Sequence, residues 1–210
     1  MAQLTIKIFV TTLGSQEEGH NHRLIMTLYF LCPCLTVTVV ILEHLSFKGI
    51  PIEGSMSEFC QKLRAKGFTH MSTDDNPTLF NGDFTGRNAV VGVTATDDGR
   101  DVYSVGVFFD ESEEWNTLVN TYDYYKHIYS RKYGNPTQCT EHNPSRSDSN
   151  ISLMSELNQV TVTWISSWSA IGGNINVYIS KSDIYKGRVV IVYRDTQNTE
   201  AKIQKDIDDI

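Results

Sequence analysis

Two hydrophobic periods take turns along the chain from Glu43 onward, and the points where one gives way to the other predict its elements. In GSMSEFCQKLRAKGF, Met56, Phe59, Cys60 and Leu63 recur at helical spacing on one face. Ser55, with Glu58 three residues later, reads as a capping box, and Gly67 after Lys66 as the C-terminal stop. Period two follows. LFNGDFTG and then NAVVGVTATDDGRDVYSVGVFFD are alternating runs, the second turning at Asp98-Gly99, a pair that favours positive φ. Past that turn, Tyr103, Val105, Val107 and Phe109 fall on one face and Val102, Ser104, Gly106 and Phe108 on the other. A second helix is predicted in DESEEWNTLVNTYDYYKHIYSRKYGNP, capped by Ser112, with Glu113 and Glu114 at its positive end and Gly134 and Pro136 at its stop. Trp115, Leu118, Val119, Tyr122, Tyr125 and Tyr129 form its buried stripe, and the phenol tips of such a stripe are expected to reach water, with an aromatic recognition face as the alternative.

The polar stretch EHNPSRSDSN reads as a loop. After it LNQVTVTWIS, NINVYIS and GRVVIVYRD read as strands, and a terminal helix is expected near Thr199 with Ile203, Ile207 and Ile210 on one side. The order is helix, strands, helix, strands, helix, which is α+β. Two layouts fit it: a single antiparallel sheet of seven or eight strands with the two main helices packed on one face, or a duplicated helix-plus-meander unit. The sequence support for duplication is a Ser cap at the start of both helices and KGF or KYG at their ends.

Residues 1–42 are set apart from the domain at 43–210 by the uncharged run LIMTLYFLCPCLTVTVVIL, Leu24 to Leu42. At about 1.5 Å per helical residue it would nearly cross a hydrocarbon core of about 30 Å. Pro33 and the β-branched run Thr36 to Ile41 oppose an ordinary spanning helix. The leading expectation is an export signal, with Arg23 as its cationic start; an uncleaved anchor and a buried strand are the alternatives. Bulky Val39, Val40, Ile41 and Leu42 make a poor cleavage site. Cys32-Pro33-Cys34, with His20 and His22 nearby, resembles the intramembrane thiolate pair of copper-pumping ATPases over three residues only, and the chain is too short for the machinery that pair serves.

HLSFKGIPIEGSMSEFCQKLRAKGF, residues 44 to 68, resembles a group of small secreted proteins of unknown function from anaerobic gut bacteria, which begin their mature domain with F-x-G-I-P-I and a Gly, then a short helix ending K-G-F or K-G-Y. The likeness spans those residues and the KYGNP helix end. It implies an exported domain starting near Glu43 behind a signal, and it brings no activity with it. The departure is the longer N-terminus without a clean cleavage site.

Charge narrows the partners. The formal net charge is -7 and stays so from Glu43 on, because Lys7 and Arg23 offset Glu17 and Glu18. An acidic body without a Lys/Arg run lacks the footprint for nucleic acid, and a membrane would be met only through residues 24–42 if these are uncleaved. No cofactor motif occurs, His44, His70, His127 and His142 are isolated, and the Asp-rich clusters at Asp74-Asp75 and Asp97 to Asp101 lack the alternating ligands of a calcium loop. Cys60 and Cys139 are candidates for a disulfide in an oxidising compartment, although Cys60 sits on an apolar stripe. Trp164 and Trp168 in TWISSWSAIGG are candidate binding aromatics, one of them expected in the core and the other exposed. No residue is singled out as catalytic. The functional expectation is an exported, periplasmic or cell-envelope domain that binds a protein or an envelope component. The alternatives are an envelope hydrolase whose groups converge only in the fold and an inhibitor-like helix-and-sheet repeat protein, with N-terminal membrane anchoring as the alternative location.

Overall fold

The computed structural model describes residues 24–29, 36–41, 43–72, 77–144, 149–208 and 210. The chain divides into two compact units, Met1–Glu43 and His44–Ile210. In the first, β1 (Leu24–Tyr29) and β2 (Thr36–Ile41) pair antiparallel, Leu24 opposite Ile41 and Tyr29 opposite Thr36. No helix among the described residues is long and apolar enough to cross a membrane. Cys32, Pro33, Cys34, His20 and His22 lie outside the described residues.

The second unit opens with a two-strand hairpin, β3 (Ser46–Phe47) and β4 (Ile50–Pro51). Lys48 and Gly49 turn it with φ of 49° and 78°, the mirror-image turn that suits strand twist. Leu45, Phe47, Ile50 and Ile52 are all buried. Phe47 stacks on Phe84 at 5.7 Å and meets Tyr193 edge-on at 5.2 Å, so the F-x-G-I-P-I stretch inserts into the core.

α1 (Met56–Ala65) begins at Ser55, whose capping box with Glu58 is formed as the sequence predicts. Its Met56 N–H donates to Gly99 O at 2.9 Å, which ties the helix to a strand turn. Four strands follow: β5 (Thr69–Ser72), β6 (Thr78–Phe84), β7 (Arg87–Ala95) and β8 (Val102–Phe108). α2 (Trp115–Tyr133) and four more strands come next: β9 (Gln138–His142), β10 (Thr163–Ala170), β11 (Gly173–Asp183) and β12 (Lys186–Asp195). α3 (Asn150–Asn158) is inserted between β9 and β10, and α4 (Thr196–Asp208) closes the chain.

All eight strands from β5 to β12 form one antiparallel sheet in the order β5-β6-β7-β8-β12-β11-β10-β9. Each half is a helix followed by a meander running from the sheet edge to its middle, and the two fourth strands, β8 and β12, pair antiparallel. The connectivity therefore reads the same from either edge. α1, α2 and α3 bury their apolar residues in one cluster with Phe80, Val91, Val107, Ile191 and Val177 of the sheet.

Three expectations need correction. Ser112 does not cap α2: its backbone bridges to Gly187, and the Trp115 N–H is instead capped by Asn150 Oδ1 at 2.6 Å, from α3. α3 occupies what reads as loop and strand, so Leu157 is helical and the strand starts at Thr163. A register shift near Ala95 puts Val102 with Val105, Val107 and Phe109 in the core and breaks the simple alternation. The terminal helix is formed, from Thr196, and its Ile203 and Ile207 are half or more exposed, with no residue of the helix buried.

Candidate binding face

Because strand side chains alternate, the face opposite the core is built from the residues between the core positions. Register aligns the middle of this face in three rows. One runs Val90, Phe108, Val190, Tyr178, Ile165; the next Gly92, Gly106, Val192, Asn176, Ser167, Gln138; the third Thr94, Ser104, Arg194, Asn174, Ser169. Val190 is fully covered by its neighbours, whereas Val90, Phe108, Tyr178, Ile165 and Val192 are half-buried. The paired glycines matter here. A Cβ on Gly92 or Gly106 would lie 3.2 or 3.0 Å from the Phe108 ring, so the ring rests over both and forms a low aromatic patch with Leu79 beside it.

These three rows hold no carboxylate, but the next row on the same face is charged: Asp83 lies opposite Asn88, Arg188 lies opposite Ser180 and bonds Glu111, and His142 lies opposite Thr163. Arg194 is exposed and has no ion-pair partner among the described residues. Burial pushes the Tyr178 phenol up, and the Arg194 charge works against that rise. A flat surface with an aliphatic-aromatic row, neutral amides and hydroxyls and one unpaired guanidinium is suited to recognition, where Tyr and Arg contribute most.

The ionisable groups gather elsewhere. At the β9 edge, Lys126 of α2 bonds Glu141, and Cys139 Sγ donates to Glu141 Oε1 at 3.6 Å. Burial alone would raise Glu141, but the hydrogen bond and charge of Lys126 overcome it and hold the carboxyl down. Burial lowers Lys126, and the same partner more than restores it. Asp123 is raised, by burial first and then by the Glu141 charge. Beneath them Tyr122 OH and Ser166 Oγ are 2.6 Å apart and buried, and desolvation drives the Tyr122 phenol far up. The group lies along an exposed strand, not in a cleft. The shallow depression lined by Glu53, Gly54, Glu58, Gln61 and Lys62, about 390 Å³, contains neither His nor Cys.

Cys60 and Cys139 are both free thiols, the first buried on α1 and the second exposed on β9, so the disulfide considered from sequence is not formed. Burial raises the Cys60 thiol. Trp164 and Trp168 both turn to the core. Trp168 is buried and donates from Nε1 to Gly134 O at 3.1 Å; Trp164, half-buried, packs edge-on against Trp115 and Tyr122 and donates to Asn143 Oδ1 at 2.8 Å. The expectation of an exposed tryptophan fails for a simple reason: residues four apart in one strand share a face. The open face was missed instead, yet a mid-strand glycine in both VVGVTA and SVGVF is the sign that marks close approach in a sheet.

The fold defines an α+β domain with a repeated helix-plus-meander connectivity and one open sheet face. Neither a family model, nor a curated protein, nor a solved structure matches the chain.

Proposed function

We propose that this chain is an exported binding domain that engages another protein of the cell envelope through the open face of its sheet. The observation that carries the reading is the open face where the half-buried Phe108 and Tyr178 lie among uncharged polar groups beside the unpaired Arg194 guanidinium, set opposite the face that takes α1, α2 and α3. Interfaces of this kind rest on a few aromatic and arginine anchors surrounded by uncharged polar groups. The repeated connectivity supports a narrower second reading, an inhibitor-like repeat protein that lays the same face on its target.

A photoreactive residue at Asn176, compared with one at Thr117 on the outer side of α2, tests the face. A discrete adduct in the native envelope from position 176 only, lost when Arg194→Glu and Tyr178→Ala are combined, is the expected result. Equal labelling from both positions would remove the reading. N-terminal sequencing of the fractionated protein tests export: a cut near Leu42 supports it, and intact Met1 in the cytosol sinks it.

A further inference from the structure

The two edges of the sheet are not equivalent. β5 has four residues and carries a register shift between His70 and Ser72, a device that blunts an edge. β9 has five residues in unbroken register with β10, contains no proline or glycine, and has no partner strand on its other side among the described residues. Gln138, Cys139, Glu141 and His142 are exposed. Such an edge offers a row of backbone donors and acceptors to another strand.

We infer that β9 pairs antiparallel with β9 of a second copy of this chain, about a two-fold axis at Thr140. The axis stands perpendicular to the sheet, which keeps the helix-bearing faces together and joins the two open faces into one. Register is decided by charge. With Thr140 on the axis, Thr140 faces Thr140, Gln138 faces His142, and Cys139 faces Glu141; no like charges are opposed. Moving the axis to Glu141 sets two carboxylates against each other, and moving it to Cys139 leaves His142 beyond the paired strand. The thiol and carboxylate brought together across the axis are groups that already meet within one chain, Cys139 Sγ and Glu141 Oε1.

Electrostatics selects this site for self-association in a chain of net charge -7. Two such chains repel unless their contact is locally balanced. At the β9 edge Lys126 stands over the strand, is paired with Glu141 and also acts on Asp123, so the repulsion there is partly offset. This inference is independent of what the open face binds.

Sedimentation equilibrium of the full chain is expected to give a dimer at micromolar concentration. Thr140→Lys sets two ammonium groups across the axis and should weaken the dimer by roughly tenfold or more. In a second test, Cys139→Ser combined with Thr140→Cys places two thiols directly opposite, at a Cα separation of about 4.5 to 5.5 Å, and mild oxidation should yield a covalent dimer. This second variant decides the matter if Thr140→Lys fails to fold. A wild-type chain that stays monomeric at about 100 µM, or one whose association survives Thr140→Lys and whose Thr140→Cys variant does not cross-link, overturns the inference.

Discussion

In the first half of the sheet the packing helix is ten residues long and presents Phe59, Cys60 and Leu63; in the second it is nineteen residues long and presents Trp115, Leu118 and three tyrosines. The halves run through the same order of strands, but their interiors differ in kind. Around α1 the buried groups are apolar, Phe68, Phe80, Val91 and Val93 among them. Beneath α2 the phenols are buried and bonded: Tyr122 to Ser166, Tyr125 to Thr85 at 2.8 Å, and Tyr129 to Tyr193. Burial drives the Tyr129 and Tyr193 phenols far up, which keeps both neutral and able to share a proton bond. One half is specified by volume and the other by pairing. The same connectivity can thus be stabilised in two ways, and the two ways fail differently under mutation.

The sharpest way to break the comparison is Phe80→Ala, which empties a fully buried site on the first half and should cost about 3 to 5 kcal/mol in urea unfolding. Tyr129→Phe deletes one oxygen and leaves the Tyr193 hydroxyl buried without its partner, for an expected loss of about 1 to 3 kcal/mol. The double variant Tyr129→Phe with Tyr193→Phe should then recover part of that loss, because two apolar groups need no partner. Additive costs in that cycle would show that the pairing is incidental.

Caps give a finer contrast. Ser55→Ala and Asn150→Ala should each cost about 1 kcal/mol. Hydrogen exchange should report the first at α1 alone and the second at both α2 and α3, since Asn150 begins one helix while capping the other. The smallest effect is a pH dependence in the first half. At the turn joining β7 to β8, Thr96 Oγ1 donates to Asp98 Oδ1 at 2.6 Å, and with the Arg100 N–H and Lys205 it holds the carboxyl down from 3.8 to about 2. A depressed native value adds stability that is present above pH of about 4 and is lost as pH falls toward about 2. Asp98→Asn should flatten the stability profile in that window, and an unchanged acid limb would show that the turn contributes nothing.

Much of this fold is legible in the sequence where local signals agree. The capping box at Ser55, the stripe from Trp115 to Tyr129 and the alternation of GRVVIVYRD all report one element each, and each is formed. The failures lie where a residue serves a distant partner. Ser112 has the chemistry of a cap, but the cap on Trp115 comes from Asn150, thirty-five positions beyond Trp115. The phenol stripe predicts the buried face correctly and its tips wrongly, because Ser166 and Tyr193 come from strands that no local pattern links to α2. The open face emerges only from the register of six strands, so its residues carry little signal beyond the two mid-strand glycines.

Asp195 has a part not suggested by its place at the end of β12. Fully buried, it accepts the Leu45 N–H at 2.9 Å, caps α4 through the Asn198 N–H at 3.0 Å and lies 3.1 Å from His44 Nδ1. The Asn198 side chain in turn donates to Ile52 O and Val102 O. The contact between Leu45 and Asp195 spans 150 positions, and the hairpin that plugs the core is held by residues made long after it. A ribosome or a translocation pore delivers the chain from its N-terminus, so the lock cannot close until nearly the whole domain has emerged. Contacts of such long separation slow folding. Under the export reading, that delay keeps the chain a thread for as long as it must pass through a pore.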